Sequence, residues 1–208
     1  MKGKKGMYLM KGTHIVTENY VIIEQAIKIF GAGRDKTIVK GGGFNIRGKK
    51  EKGKNVVLKD MTISETSDNG VFGYCGLSWL CDSLTITQCG YYGVSAYDTK
   101  GRLINCVITQ CGYSGIYCGQ SALIELEGDQ TKVDGNGTGG YFGCYGLETS
   151  STSSIIHLLF PLTEESVSTN NHNGQNYGGK GEIAIVDNDG NTIEIINEAS
   201  EEESDNDY

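Results

Sequence analysis

Two acids and a base, Asp82, Asp98 and Arg102, lie within one short stretch in the middle of the chain. Carboxylates held close together can give and take protons across a glycosidic bond, so these three are the expected catalytic residues if the chain is an enzyme. The competing reading places them, with Lys100, Glu125, Glu127 and Asp129, on turns and strand ends as solvated surface charge. Aromatic residues mark a second kind of chemistry. Trp79, Tyr91, Tyr92 and Tyr113 are the expected ligand-binding residues, with Tyr74, Tyr97, Tyr117, Tyr141 and Tyr145 nearby in sequence. Aromatic surfaces of this kind take sugar rings or a protein partner, although tyrosine is also a common packing residue of strands and turns.

Other motifs carry less. Gly31-Ala32-Gly33-Arg34-Asp35-Lys36-Thr37 lacks the glycine before lysine and the spacing of a phosphate loop. Asp187-Asn188-Asp189-Gly190-Asn191 with Glu194 offers oxygens for calcium, but not in the pattern of a calcium-binding loop, and a tight turn explains the same residues. His14, His157 and His172 lie far apart, which gives no local His–carboxylate pair. The seven cysteines form no CxxC pair, so reduced thiols are expected, including at Cys89 and Cys111, whose stacking would permit a bridge. No metal and no cofactor is expected.

A repeat must position these residues. Thr85-Ile86-Thr87-Gln88-Cys89-Gly90-Tyr91-Tyr92-Gly93-Val94 returns 22 residues later as Val107-Ile108-Thr109-Gln110-Cys111-Gly112-Tyr113-Ser114-Gly115-Ile116, identical at seven of ten positions. A looser copy runs from Thr62 to Val71. A short period rich in β-branched residues and glycine fits one coil of a parallel β-helix, in which equivalent side chains stack about 4.8 Å apart. The register predicts columns of Ile63, Ile86 and Ile108, and of Val71, Val94 and Ile116, inside the coils. Asp60, Ser83 and Asn105 form a further column, two residues before the Thr-Ile-Thr strand, where short polar side chains suit a turn. About six coils are expected from the period. Residues 163–181 have linker composition, and two β-rich segments flanking Asp187–Asn191 predict a hairpin that covers the end of the solenoid.

The expected division is a solenoid over residues 1–160, a loop and hairpin extension over 161–197, and an acidic disordered tail over 198–208. That tail carries six carboxylates and no cation, contributing to a net charge of -8 that argues against a nucleic-acid phosphate backbone as partner. The basic start at Met1–Met7 is not followed by an apolar run of signal-peptide length, so an intracellular protein with no membrane segment is expected. Thirty-one glycines beside a single proline, with 38% hydrophobic residues, point to an ordered all-β chain with many positive-φ bends.

The segment from Ile29 through Gly31, Gly33, Lys36, Thr37 and Ile38 to Gly41 resembles an early coil of pectin methylesterases and other right-handed parallel β-helix, or pectin-lyase-like, proteins. The Asn105-Cys106-x-Ile108 and Gly112-Tyr113-x-Gly115-Ile116 spacings are similar to general right-handed β-helix repeats, and Leu159–Thr163 resembles uncharacterised β-helix proteins of protists and large DNA viruses. The resemblance covers roughly residues 12–158. It implies a polysaccharide link for the enzymes of that superfamily, but their Asn-x-Asp, Asp-Asp, Gly-His-Gly and Trp-x-Asp-His motifs have no counterpart here. The expectation is therefore an all-β, right-handed parallel β-helix that serves as a non-catalytic scaffold and binds a glycan or protein partner through a stacked face. A diverged polysaccharide lyase, hydrolase or esterase, and a structural protein that assembles through one solenoid end, are the alternatives.

Overall fold

A computed structural model describes residues 6–50 and 52–197; the acidic tail predicted for residues 198–208 lies outside them. The chain forms a β-solenoid with three faces. One bent sheet of 14 strands makes two faces and a 7-stranded sheet makes the third. Consecutive coils pair in parallel. Along the first face, for example, Asn55–Ser64 lies beside Ser78–Thr87, followed by Lys100–Ile104, Leu123–Glu127, Ile155–Leu159 and Glu182–Val186. The third face stacks Tyr20–Ile23, Gly43–Gly48, Val71–Gly76, Val94–Tyr97, Ile116–Gly119, Leu147–Thr149 and Tyr177–Gly179.

The repeat sets this register directly. Ile63, Ile86 and Ile108 pair in succession, as do Val71, Val94 and Ile116, and all six are fully buried. Each such side chain contributes about 1.5–3 kcal/mol by leaving water, so the columns are the main source of cohesion between coils. Corners are made by single residues in the left-handed region. Asp60, Ser83 and Asn105 (φ 57°, 54° and 51°) turn the first face into the second, while Glu65, Gln88 and Gln110 (φ 50°, 55° and 56°) turn the second into the third. One left-handed residue between extended neighbours redirects the chain sharply without a long loop. The residue after each second corner points inward, giving the buried series Thr66, Cys89, Cys111, Asn136 and Asn171. At its end Asn136 Nδ2 donates to Ile108 O (3.1 Å) and to Asn171 Oδ1 (3.0 Å), and Asn136 Oδ1 accepts from Cys111 N–H (3.1 Å). The Asn136 amide is thus fully used between coils.

Two expectations about extent need correction. The solenoid has about eight turns, not six. It also runs past residue 160: Ser168–Thr169, Tyr177–Gly179 and Glu182–Val186 continue the three faces in parallel, with a short helix at Glu164–Val167 in the intervening segment. Their polar corners, such as Asn170 and Asn171, give this stretch its linker-like composition. The final strand, Thr192–Asn197, pairs antiparallel with Glu182–Val186 across the 187–191 turn, where Asp187 accepts from the backbone N–H groups of Asp189 and Asn191. At the opposite end the first coil exposes Met7, Tyr8, Met10, Ile15 and Ile22, and Met7 and Ile22 join Leu9, Val16 and Val21 in lining an apolar cavity of about 270 Å³. Among the described residues, no helix is long and apolar enough to cross a membrane.

Candidate functional site

The period of two within each strand of the third face divides its side chains cleanly. Val94 and Ala96 point into the core, so Ser95 and Tyr97 point outward. The parallel register then builds one outward row of Asn45, Phe72, Ser95, Tyr117 and Glu148, and a second of Arg47, Tyr74 and Tyr97. Small residues in these rows leave room for rings to lie over them. A Cβ on Gly119 would come within 2.9 Å of the Tyr97 ring, and one on Gly178 within 2.1 Å of the Tyr145 ring.

Nine rings form one connected array on and beside this face. Tyr20 meets Phe72 (6.1 Å between centroids), which meets both Tyr74 (5.8 Å) and Tyr97 (5.9 Å). Tyr97 continues to Tyr117 (5.5 Å), Tyr117 stacks on Tyr92 (4.5 Å), and Tyr92 meets Tyr113 edge-on (5.6 Å). Tyr113 lies between Tyr91 (4.9 Å, planes 1° apart) and Tyr141 (4.4 Å, 16°). The Tyr91–Tyr113 pair repeats the coil spacing, as equivalent positions of a solenoid must. Tyr141 arrives differently: the Gly-rich insertion of residues 135–146 carries it onto the column. Tyr91 is 47% exposed, which leaves it open to a ligand.

One carboxyl sits against these rings. Glu148 is largely buried, and loss of water pushes its carboxyl up to about 7, opposed by a hydrogen bond from the Ser114 hydroxyl. Burial, reinforced by the nearby Glu148 charge, also raises the Tyr92 phenol; burial and the neighbouring Tyr117 raise that of Tyr97. Beneath the array the Ser95 hydroxyl is 0% exposed and has no hydrogen-bond partner, and the Asn45 side-chain oxygen of the same row is also buried without one. An acid close to neutral among phenols and a hydroxyl can bind polar groups and can exchange a proton near pH 7.

The expected residues divide. Tyr91, Tyr92 and Tyr113 belong to the array. Trp79 does not: it is 2% exposed and fills the core space left by Gly73 and Gly101, either of which would clash with the indole if it carried a Cβ. Asp82, Asp98 and Arg102 do not form one site. Asp82, on the first face, pairs with Lys59 at 2.5 Å and accepts from the Ser83 hydroxyl at 2.8 Å. Arg102, also on the first face, reaches Glu127 at 2.9 Å and Glu125 at 3.9 Å. Asp98 is an exposed corner residue (φ 47°) at the edge of the third face, close to Tyr74 and Cys75. Proximity in sequence had suggested a cluster, but one coil visits three faces and separates them. Glu148, Ser95 and Ser114 carried no signal in sequence except the repeat itself, which places Ser114 opposite Tyr92. Among the described residues there is no cluster of histidine, cysteine and carboxylate side chains suited to a metal.

Fold and face together define a parallel β-helix with an aromatic outer sheet. No protein-family model and no curated protein matches the sequence. Among solved structures, the A-module of the Azotobacter vinelandii mannuronan C-5 epimerase AlgE4 is similar, with 10% identity over 88% of this chain and 86% of that one and a TM-score of 0.27. So loose a likeness carries no argument about activity.

Proposed function

We propose that this protein is a non-catalytic β-helix scaffold that binds a glycan along the aromatic array of its third face. The connected array of nine rings carries the proposal, since it places phenol hydroxyls and ring surface along several successive coils. An extended polymer lying along the solenoid axis would meet ring surface on several successive coils. Tyr91, Tyr92 and Tyr113 are the anchors, Tyr97 and Tyr117 extend the surface, and Glu148 offers a hydrogen bond at its edge. Sugar rings present both an apolar face and hydroxyls, which suits tyrosine, a residue with an apolar body and a polar tip. The test is retention on an array of neutral and acidic glycans, repeated with Tyr91→Ala and Tyr113→Ala combined.

One observation favours a second reading, a polysaccharide-active enzyme. Glu148 is held near neutrality beside Tyr92 and Tyr97, the condition a general acid or base requires. Release of cleaved, deacetylated or unsaturated products from any retained glycan, abolished by Glu148→Gln, would favour this reading over the scaffold.

A further inference from the structure

The outward row of Asn45, Phe72, Ser95, Tyr117 and Glu148 holds two polar atoms that the protein itself does not use. Ser95 is 0% exposed, and its hydroxyl has no hydrogen-bond partner among the described residues; the Asn45 side-chain oxygen, two coils away, is buried in the same condition. Both point away from the hydrophobic core, because Phe44, Ile46, Val94 and Ala96 take the inward positions of these strands. What buries Ser95 is aromatic. Phe72 and Tyr117 flank it in the row, and Tyr97, two residues along the strand, meets both rings at centroid separations of 5.9 and 5.5 Å. A short side chain between two ring-bearing ones leaves a notch two coil spacings long, about 9.6 Å, with the Ser95 hydroxyl as its floor. A buried hydroxyl without a partner costs the folded protein stability, and a ligand group that reaches it recovers that cost on binding.

The charges around the notch decide what can enter it. The row contains no cation. Arg47, in the adjoining row, donates from Nε and Nη2 to Glu24 Oε1 (3.1 and 3.0 Å) and is thereby already paired. The carboxyl of the row, Glu148, lies one coil beyond Tyr117 and supplies positive charge in neither protonation state. A carboxylate or sulfate pressed onto these rings would give up water without meeting a counter-charge, which is costly. A sugar hydroxyl both donates and accepts, so it suits the Ser95 hydroxyl and the acceptor-only Asn45 oxygen alike. We infer that Ser95 and Asn45 set the specificity of this face and that the glycan it takes is uncharged where it lies over the notch, with one sugar hydroxyl bonded to Ser95 Oγ. Access requires the partly exposed Tyr97 side chain to turn aside. That a sugar is the ligand rests on the glycan-binding reading; that the ligand carries no charge at the notch rests on the row itself.

The experiment is retention of the full chain on immobilised glycan pairs of the same linkage that differ only in oxidation of the primary hydroxyl to a carboxylate: glucan with glucuronan, mannan with mannuronan, galactan with galacturonan. The native protein should retain at least one neutral member and hold its carboxylated counterpart about tenfold or more weakly. Ser95→Ala should weaken retention of that neutral member about tenfold, the worth of one hydrogen bond, while its urea midpoint rises because a stranded hydroxyl has been removed. Equal or tighter retention of the carboxylated member would overturn the selection against charge. Unchanged neutral retention in Ser95→Ala, with retention still lost in the Tyr91→Ala, Tyr113→Ala double variant, would keep the face and reject the notch. A lower urea midpoint in Ser95→Ala would also reject it, by showing that the hydroxyl is already bonded in the free protein, for instance to a buried water. No retention of either member of any pair would reject the glycan-binding face itself.

Discussion

Replacing Glu148 with glutamine should change how stability depends on pH. In the native protein burial moves this carboxyl from its ordinary 4.5 to about 7, and each factor of ten in proton affinity corresponds to about 1.4 kcal/mol, so the folded state loses about 3 kcal/mol when the group must ionise. The sign follows from linkage. The folded state holds the proton more tightly than the unfolded state, so stability is fully present below pH 4.5, declines as pH rises and levels off above about pH 7. Glutamine keeps the shape and the hydrogen bond with Ser114 but cannot ionise. Urea unfolding of both proteins at several pH values from 4 to 8.5 should therefore give equal stability at the acidic end and an advantage of about 3 kcal/mol for Glu148→Gln at the alkaline end. A difference that does not vary with pH, or one favouring the native protein above pH 7, would refute the assignment of Glu148 as a buried carboxyl under strain from desolvation.

Three further outcomes follow from the packing. Gly101→Ala places a Cβ 2.1 Å from the Trp79 ring and should destabilise by about 1–3 kcal/mol in urea unfolding, accompanied by a change in tryptophan fluorescence. Asn136→Ala strands the Cys111 N–H and removes bonds to Ile108 and Asn171, a loss of about 2–3 kcal/mol measurable in the same assay. Lys59→Ala breaks a partly exposed pair with Asp82 and should alter stability by about 1 kcal/mol or less. Neither Asp82→Ala nor Arg102→Ala should change glycan retention, since both side chains lie on the first face.

Much of this solenoid can be read from its repeats. Ile86 and Ile108 fall in one column because the surrounding decapeptides are nearly identical, and the same register puts Tyr91 on Tyr113. Legibility fails where the repeat does. The insertion of residues 135–146 shifts the next coil out of the 22-residue period, so only the strand pairing aligns Glu148 with Tyr117 and Ser95. Residues 163–181 have the composition of a linker because their corners and inward positions use serine, threonine and asparagine in place of valine and isoleucine. Trp79 departs from the expected ligand-binding role for another reason. Its room in the core is created by the absence of side chains at Gly73 and Gly101, a vacancy that only the folded register brings together.

The central claim is that the third face is a glycan-binding surface, and it is tested most directly by comparing the native protein with the Tyr91→Ala, Tyr113→Ala double variant on a glycan array at one pH. The account predicts that the native protein retains at least one class of extended glycan and that the double variant, still folded by circular dichroism, loses that retention. Undiminished retention by the variant, or no retention of any glycan by the native protein, would contradict it.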